Sequence, residues 1–249
     1  MRRLVVALVA LVVLIGVLVL VDLGAAAYTE HRVAEALREG QGLPTDPTVS
    51  VAGFPFLTQL VAGRYQQVEV GTADATAPGL GPVSVTGTLR DVAVPASQVL
   101  SGSISTVTAA AVHTQVRVPA TTLGQKLGVP DLQLAPAAAT AAPGGAGSGV
   151  VLTGTVSAGF LSEVVSVQAD LSVADGGIVV RATDVALGRP GGAQTRLPTF
   201  LAPLVLQRIS RTIPVGRLPF DVAPTAVSVQ GSDLVLDGDG TDVTLAAPR

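Results

Sequence analysis

The chain has 249 residues and a formal net charge of −3; 48% of its residues are hydrophobic and only 13% are charged. It has no cysteine and two histidines, which excludes a disulfide framework and leaves almost nothing for a transition-metal site. The acidic balance excludes a typical nucleic-acid-binding surface, because such surfaces are basic.

An uninterrupted apolar segment, residues 4–21, follows two arginines at the N-terminus. As a helix it would span about 27 Å, close to the roughly 30 Å hydrocarbon thickness of a bilayer. By the positive-inside rule, Arg2 and Arg3 keep the start of the chain in the cytoplasm. The sequence therefore predicts that the body lies on the extracytoplasmic face of the plasma membrane.

The leader has two interpretations that the sequence leaves open. Residues 25–27 are alanines that suit a cleavage site, so residues 1–27 can be a signal peptide that is removed on secretion into a periplasm-like space. The apolar run is longer than a typical signal peptide, and Asp22 separates it from that site. An uncleaved signal anchor fits this length better. In both cases residues 28–249 are predicted to form a single β-rich domain.

The body begins with a predicted helix at residues 26–39 that Gly40 ends. A short strand at residues 48–52 leads into a dense apolar cluster at residues 54–61, which predicts a short helix with Gly63 as its stop. Strands then dominate, because valine and threonine are abundant and apolar residues alternate with polar ones. They are predicted at residues 64–72, 83–94, 103–118, 132–140, 150–157, 165–173, 178–187, 226–230, 233–237 and 242–246.

Two further helices are predicted between these strands. One is short, at residues 121–127, and the other, at residues 199–211, has apolar side chains along one face. Antiparallel strands with few helices predict an α+β, β-rich fold with a long curved antiparallel sheet wrapped around a helix, rather than βαβ units.

Motifs for catalysis are missing from the sequence. There is no Gly-x-Ser-x-Gly, and His31 and His113 both fall on predicted polar faces, where ordinary surface histidines are expected. Residues 237–242 alternate Asp and Gly as a calcium loop does, but the sixth and twelfth positions are Asp242 and Pro248, so a tight turn between strands is favoured. We therefore expect a protein that is not an enzyme, with no metal and no cofactor.

The excess of apolar residues is explained either by a large core or by an apolar groove for a lipid tail. Burying an acyl chain yields about 0.8 kcal/mol per CH₂, so a dry, elongated slot is enough to hold one. The membrane-proximal location makes lipid the most available apolar ligand.

Three motifs resemble those of the LmeA-like phospholipid-binding proteins, which are cell-envelope proteins of high-GC Gram-positive bacteria. They are VAGFPFLTQL at residues 51–60 with GRY at 63–65, the stretch from Ile213-Pro214 to Leu218-Pro219-Phe220, and VSVQG at 227–231 with LVLDG at 234–238. The resemblance extends over residues 30–246. It implies phospholipid binding, including phosphoinositides, in a fold similar to the tubular lipid-binding (BPI-like) domains. For the founding member it implies a role in elongating mannan on envelope lipoglycans.

Candidate groove-lining residues are the large apolar side chains of the predicted helices and motifs, with core packing as the alternative for each: Phe54, Phe56, Leu57, Leu60, Phe160, Leu201, Leu204, Val205, Ile209 and Phe220. Arg208, Arg211 and Arg217 are candidates for an anionic headgroup, because guanidinium binds phosphate through a bidentate fork. The alternative is that they offset the C-terminal dipole of a helix. The rival function is a membrane-anchored envelope scaffold that binds a protein partner without lipid, through an exposed apolar patch.

Overall fold

The computed structural model describes residues 2–41, 43–77, 81–101, 104, 106–137, 148–158, 161–174, 177–192, 195–196 and 210–246. The architecture is α+β and strand-rich, with 54% strand, antiparallel sheets and a long apolar N-terminal helix. The predicted fold class is confirmed in these respects.

Four α-helices lie within the described residues: α1 (Arg2–Gln41), α2 (Phe56–Ala62), α3 (Ala96–Ser101) and α4 (Ala120–Leu127). The strands are β1 (Thr48–Ala52), β2 (Arg64–Ala77), β3 (Gly81–Ala93), β4 (Thr106–Pro119), β5 (Gln133–Ala137), β6 (Ser148–Ala158), β7 (Leu161–Ala174), β8 (Gly177–Leu187), β9 (Thr195–Arg196), β10 (Arg211–Pro214), β11 (Pro224–Gln230) and β12 (Asp233–Ala246). A single 3₁₀ turn, Pro219–Asp221, precedes β11.

Helix α1 is continuous over 40 residues, so the apolar run and the predicted helix at residues 26–39 are one element. Among the described helices it is the one long and apolar enough to cross a membrane. Nearly every side chain of residues 4–21 is exposed.

The strands form two six-stranded sheets. The first has the order β1-β2-β3-β4-β12-β11, and the second has the order β10-β8-β7-β6-β5, with β9 pairing to β8. In the second sheet β5 to β8 and β10 pair antiparallel with their neighbours. A register shift between Gln168 and Ala169 leaves one extra residue in β8, which is a β-bulge.

Contacts divide the chain into two compact units. Unit 1 comprises residues 1–72, 87–112 and 241–249, and unit 2 comprises residues 73–86 and 113–240. Four strands of the first sheet, β2, β3, β4 and β12, contribute residues to both units.

Two sequence-based expectations need correction at the C-terminal side. The predicted tight turn at residues 237–242 is wrong, because these residues lie inside the 14-residue strand β12. The predicted helix at residues 199–211 lies outside the described residues except at its end, where Ser210 is not helical and Arg211 begins β10. The chain is therefore not helical at the last two positions of the predicted helix, Ser210 and Arg211.

Candidate functional site

The inner face of the second sheet is an apolar surface in unit 2. Side chains alternate across a strand, so the odd positions of β7 from Val165 to Val173 share one face. Pairing places Val167 opposite Leu152 of β6, and Leu171 opposite Val180 of β8. Because the bulge adds one residue to β8, the side chains that face inward have odd residue numbers near Val185 and even residue numbers near Val180.

The first sheet closes over this face within unit 2. One cluster of buried residues joins both sheets and consists of Val, Leu, Ile and Ala: Val83, Val85, Val116, Val118, Ala120, Leu134, Val150, Ala169, Leu171, Ile178, Leu218, Val227, Val229, Leu234 and Leu236. All of the cluster's buried side chains are therefore aliphatic.

Several apolar side chains of the same face are only partly buried. Leu152, Val173 and Val180 pack against the main cluster, and Val165 packs with Leu152 against a second cluster around Val185. They lie along β6, β7 and β8, and the 14 residues of β7 extend over about 46 Å. We call Leu152, Val165, Val173 and Val180 the open apolar face. Its chemistry suits a long hydrocarbon chain.

Half of the predicted groove-lining residues are outside the described residues: Phe160, Leu201, Leu204, Val205 and Ile209. The others fall in both units. In unit 1, Phe56 and Leu60 are buried in α2, Leu57 is partly buried, and Phe54 is exposed. In unit 2, Phe220 is partly buried in the 3₁₀ turn with a backbone φ of +65°.

The three candidate arginines are in different situations. Arg217 donates from Nη1 to Asp221 Oδ2 at 3.0 Å and to the Asp221 carbonyl at 2.9 Å, and both side chains are exposed. Its charge is therefore already offset by a neighbour. Arg211 is the first residue of β10, where it pairs with Val180, and Arg208 is outside the described residues. Arg211 does not lie at a helix C-terminus, since the chain is extended there.

A polar network covers the outer side of β4, β11 and β12 in unit 2. His113 Nδ1 lies 2.8 Å from Asp239 Oδ1, Gln115 donates to Asp237 at 3.0 Å, and Thr225 donates to Asp239 at 3.1 Å. The hydrogen bond to His113, followed by that from Thr225, holds the pKa of Asp239 below its usual range.

A structural role accounts for this network. Its members tie neighbouring strands together, and His113 is half-exposed on the polar face that the sequence predicts for it. Nor does it form a calcium loop, since Asp237 and Asp239 share one face of a strand instead of encircling an ion. In the described part of the chain, no group of three or more carboxylate, histidine or cysteine side chains is arranged to hold a metal ion.

Asp22 is a functional candidate that sequence reasoning missed. It is buried, and its carboxylate accepts hydrogen bonds from the Phe56 amide at 2.8 Å and the Leu57 amide at 2.7 Å. It therefore caps helix α2, which has no side-chain cap of its own. The position of Asp22 directly after the apolar run is visible in the sequence, but its partners lie 34 and 35 residues away.

Comparison with curated proteins gives no match. Comparison with solved structures also gives none. The model of one protein family, described as LmeA-like phospholipid-binding, matches residues 20–239, which include the end of the apolar run, parts of unit 1, nearly all of unit 2 and the open apolar face. The chain belongs to the LmeA-like phospholipid-binding family.

Proposed function

We propose that this protein is an extracytoplasmic phospholipid-binding protein, held at the plasma membrane by α1, that keeps acyl chains in an apolar groove and supports envelope lipid or lipoglycan biogenesis. The open apolar face is the observation that carries the proposal: apolar side chains of three adjacent strands, only partly buried, in a member of a phospholipid-binding family. The lipid is bound and not chemically changed in this proposal.

The acyl chain would lie along β6, β7 and β8 within unit 2. Each methylene group that leaves water contributes about 0.8 kcal/mol, so hydrocarbon length alone supplies affinity without a specific polar contact. Phe160, Leu201, Leu204, Val205 and Ile209 stay predicted lining residues, and Phe220 stays a candidate at the 3₁₀ turn. Phe54, Phe56, Leu57 and Leu60 lie in unit 1, so this groove, which is confined to unit 2, does not include them.

Photo-crosslinking tests where the chain lies. Full-chain protein in detergent micelles is incubated with a phospholipid that carries a diazirine in one acyl chain, irradiated, digested and analysed by mass spectrometry. We expect crosslinked peptides from residues 148–187. Crosslinks confined to α1 would contradict the groove, because they would report only the lipid around the apolar helix.

A matched pair of variants sharpens this test. Val179 and Val180 are adjacent and both partly buried, but Val180 lies on the inner face and Val179 on the outer one. Val180→Asp should reduce crosslinking to residues 148–187 strongly, whereas Val179→Asp should leave it nearly unchanged. Equal losses in both variants would point to general destabilisation and would remove the open apolar face from the proposal.

The headgroup side of the proposal depends on Arg208 and Arg211. Guanidinium groups bind phosphate oxygens in bidentate geometry, which suits anionic phospholipids such as phosphoinositides. Arg217 is a weaker candidate because Asp221 occupies its Nη1. Charge reversal of Arg208 and Arg211 should lower the rate of anionic phospholipid extraction from vesicles more than that of zwitterionic lipid; equal rates would exclude them.

The anchor part of the proposal is supported by the contacts of α1. Asp22 accepts two amide hydrogen bonds from α2, and Glu30 accepts one from Val51 at 2.7 Å. Cleavage after Ala27 would remove Asp22 and leave the amides of Phe56 and Leu57 without their cap. We therefore propose that the leader is an uncleaved signal anchor. The N-terminal sequence of the native protein tests this; a start at Tyr28 would contradict it.

The rival function, an envelope scaffold without lipid, has one observation in its favour. Phe54 and Val61 in unit 1 are large apolar side chains that are well exposed. A scaffold would use such a patch for a protein partner and would yield no crosslinks on the inner face of unit 2. The same photo-crosslinking experiment therefore separates the two functions.

A further inference from the structure

Helix α2 presents an uncharged, exposed face that the proposed groove in unit 2 does not use. Phe54 is 62% exposed and Val61 is 83% exposed, with Thr58 exposed and Leu57 partly exposed between them. Phe56, Gln59 and Leu60 form the opposite, buried face. We call Phe54, Leu57, Thr58 and Val61 the docking face. No charged residue occurs between Asp46 and Arg64, so the whole segment is compatible with a lipid interface.

Asp22 holds the first turn of α2 next to the end of the apolar run. Its two carboxylate oxygens hold the amides of Phe56 and Leu57, and only 4% of Asp22 is exposed. Asp22 directly follows residues 4–21, which are the part of α1 long enough to cross the hydrocarbon layer. The first turn of α2 is therefore held at the level where that layer ends.

A second contact shows the direction of the chain before α2. The Val51 amide donates to Glu30, which lies eight residues, or about 12 Å, further along α1 than Asp22. Between Val51 and Phe56 the chain therefore runs back along α1, towards the apolar run. After α2 it returns along β2, where Val51 pairs with Val68, and the four residues from Val68 back to Arg64 extend over about 13 Å. The two lengths match, which is compatible with both ends of α2 lying near the level of Asp22.

We propose that the docking face lies in the headgroup layer of the bilayer that α1 spans, so that α2 is a second, surface-lying contact with the membrane. This inference rests on the proposed anchoring by α1. Two neighbouring groups favour lipid as the occupant. Arg64 follows the docking face and makes no salt bridge among the described residues, which leaves its guanidinium for lipid phosphate. Tyr28 on α1 is 68% exposed and has the residue type enriched at membrane interfaces.

The absence of tryptophan from the chain makes a direct test available. Single reporters Phe54→Trp and Val61→Trp are placed in the full-chain protein and reconstituted into vesicles of phosphatidylcholine and phosphatidylglycerol. Val12→Trp, inside the apolar run, reports anchoring. Glu69→Trp is the matched control, because Glu69 is exposed and pairs with Ser50, next to the strand position held at Glu30. Thermal unfolding of each variant confirms that it is folded.

Emission wavelength and quenching by phospholipids with brominated acyl chains give the readout. We expect blue-shifted, quenched emission from Phe54→Trp, Val61→Trp and Val12→Trp, and unshifted, unquenched emission from Glu69→Trp. A quenched Val12→Trp with unquenched docking-face reporters would overturn the docking proposal but leave the anchor intact. Blue-shifted docking-face reporters that brominated lipid does not quench would assign the face to a second copy or a protein partner. An unquenched Val12→Trp would end both the anchor and the docking proposal.

Discussion

The two units differ in which polar groups they bury and in how many large apolar side chains they expose. In unit 2 the main core cluster is aliphatic, and the buried polar side chains among the described residues are hydroxyls: Thr114, Thr122, Thr153 and Ser166. In unit 1 the buried polar side chains include the Asp22 carboxylate and the Gln59 amide, while Phe54 and Val61 are left exposed.

This difference teaches that the high apolar content of the sequence has two separate uses. In unit 2 it fills the space between two sheets and provides the open apolar face, so its removal should reduce stability and lipid binding. In unit 1 part of it lies on α1 and on the docking face, where the proposed solvent is lipid, so removing apolar side chains there should change membrane contact rather than folding. The polar groups buried in unit 1 fix α2 in place.

The prediction with the largest expected effect compares a buried apolar side chain of unit 2 with an exposed one of unit 1. Leu236 is fully buried in unit 2, and Leu236→Ala should lower the free energy of unfolding by about 2–5 kcal/mol because it leaves a cavity. Val61→Ala in unit 1 should change it by less than about 0.5 kcal/mol, since the side chain is exposed. Chemical unfolding of the full chain in detergent micelles measures both. Comparable losses would contradict the distinction between the units.

Much of this fold follows from local sequence patterns. The alternation at residues 165–173 predicts β7 and its inner face, and the structure confirms both. The strand predicted at residues 48–52 is β1, and the predicted stop at Gly63 has the left-handed φ of +64° that favours glycine. These features depend on neighbours in sequence, so periodicity and residue type are sufficient to find them.

Features that depend on distant partners could not be predicted from local sequence patterns. Asp239 and Gly240 are residue types that favour turns. In the structure, however, His113 of β4 and Thr225 of β11 hydrogen-bond to Asp239, and β12 continues through Asp239 and Gly240. The cap of α2 comes from Asp22, 34 residues before Phe56, so no local pattern marks it. The candidate groove was predicted by composition and resemblance alone, and these do not identify which strand faces line it.

The next largest effect concerns the cap of α2 in unit 1. Asp22→Ala removes the acceptor of two amide hydrogen bonds, and loss of a helix cap costs about 0.5–2 kcal/mol. Hydrogen exchange of the Phe56 and Leu57 amides should therefore become faster by about twofold to thirtyfold, because 1.4 kcal/mol corresponds to a factor of ten. Amides of β7 in unit 2 should keep their exchange rates.

The control for this prediction is Asp22→Asn, which keeps one carbonyl oxygen as acceptor. It should retain more of the amide protection than Asp22→Ala does. Unchanged exchange at Phe56 and Leu57 in Asp22→Ala would show that the carboxylate does not cap α2. It would also remove the contact between Asp22 and α2 on which the docking proposal depends.

Tyr65 in unit 1 should give a smaller effect of opposite sign. Its ring packs against Phe56 with centroids 6.3 Å apart, but its buried hydroxyl has no hydrogen-bond partner among the described residues. Burial raises the pKa of Tyr65, which reflects the same loss of water. Tyr65→Phe keeps the ring and removes the unpaired hydroxyl, so it should stabilise the protein by about 1 kcal/mol. A loss of similar size in chemical unfolding would show that the hydroxyl is hydrogen-bonded.

The smallest expected effect is a pH dependence of unit 2. Because the hydrogen bond to His113 lowers the pKa of Asp239 in the folded state, ionised Asp239 stabilises the fold above the ordinary carboxyl pKa. That contribution is lost as the pH falls through the lower, folded-state pKa. The pair is exposed to solvent, so its size should be at most about 1 kcal/mol.

Unfolding of Asp239→Asn at neutral and strongly acidic pH measures this contribution. The variant should be less stable than the unaltered protein at neutral pH, and the difference should vanish in strong acid, where Asp239 is protonated. In a His113→Gln background most of the pH-dependent difference should disappear, because the partner that lowers the pKa is gone. A difference that stays constant over the whole pH range would assign the role of Asp239 to packing and not to its charge.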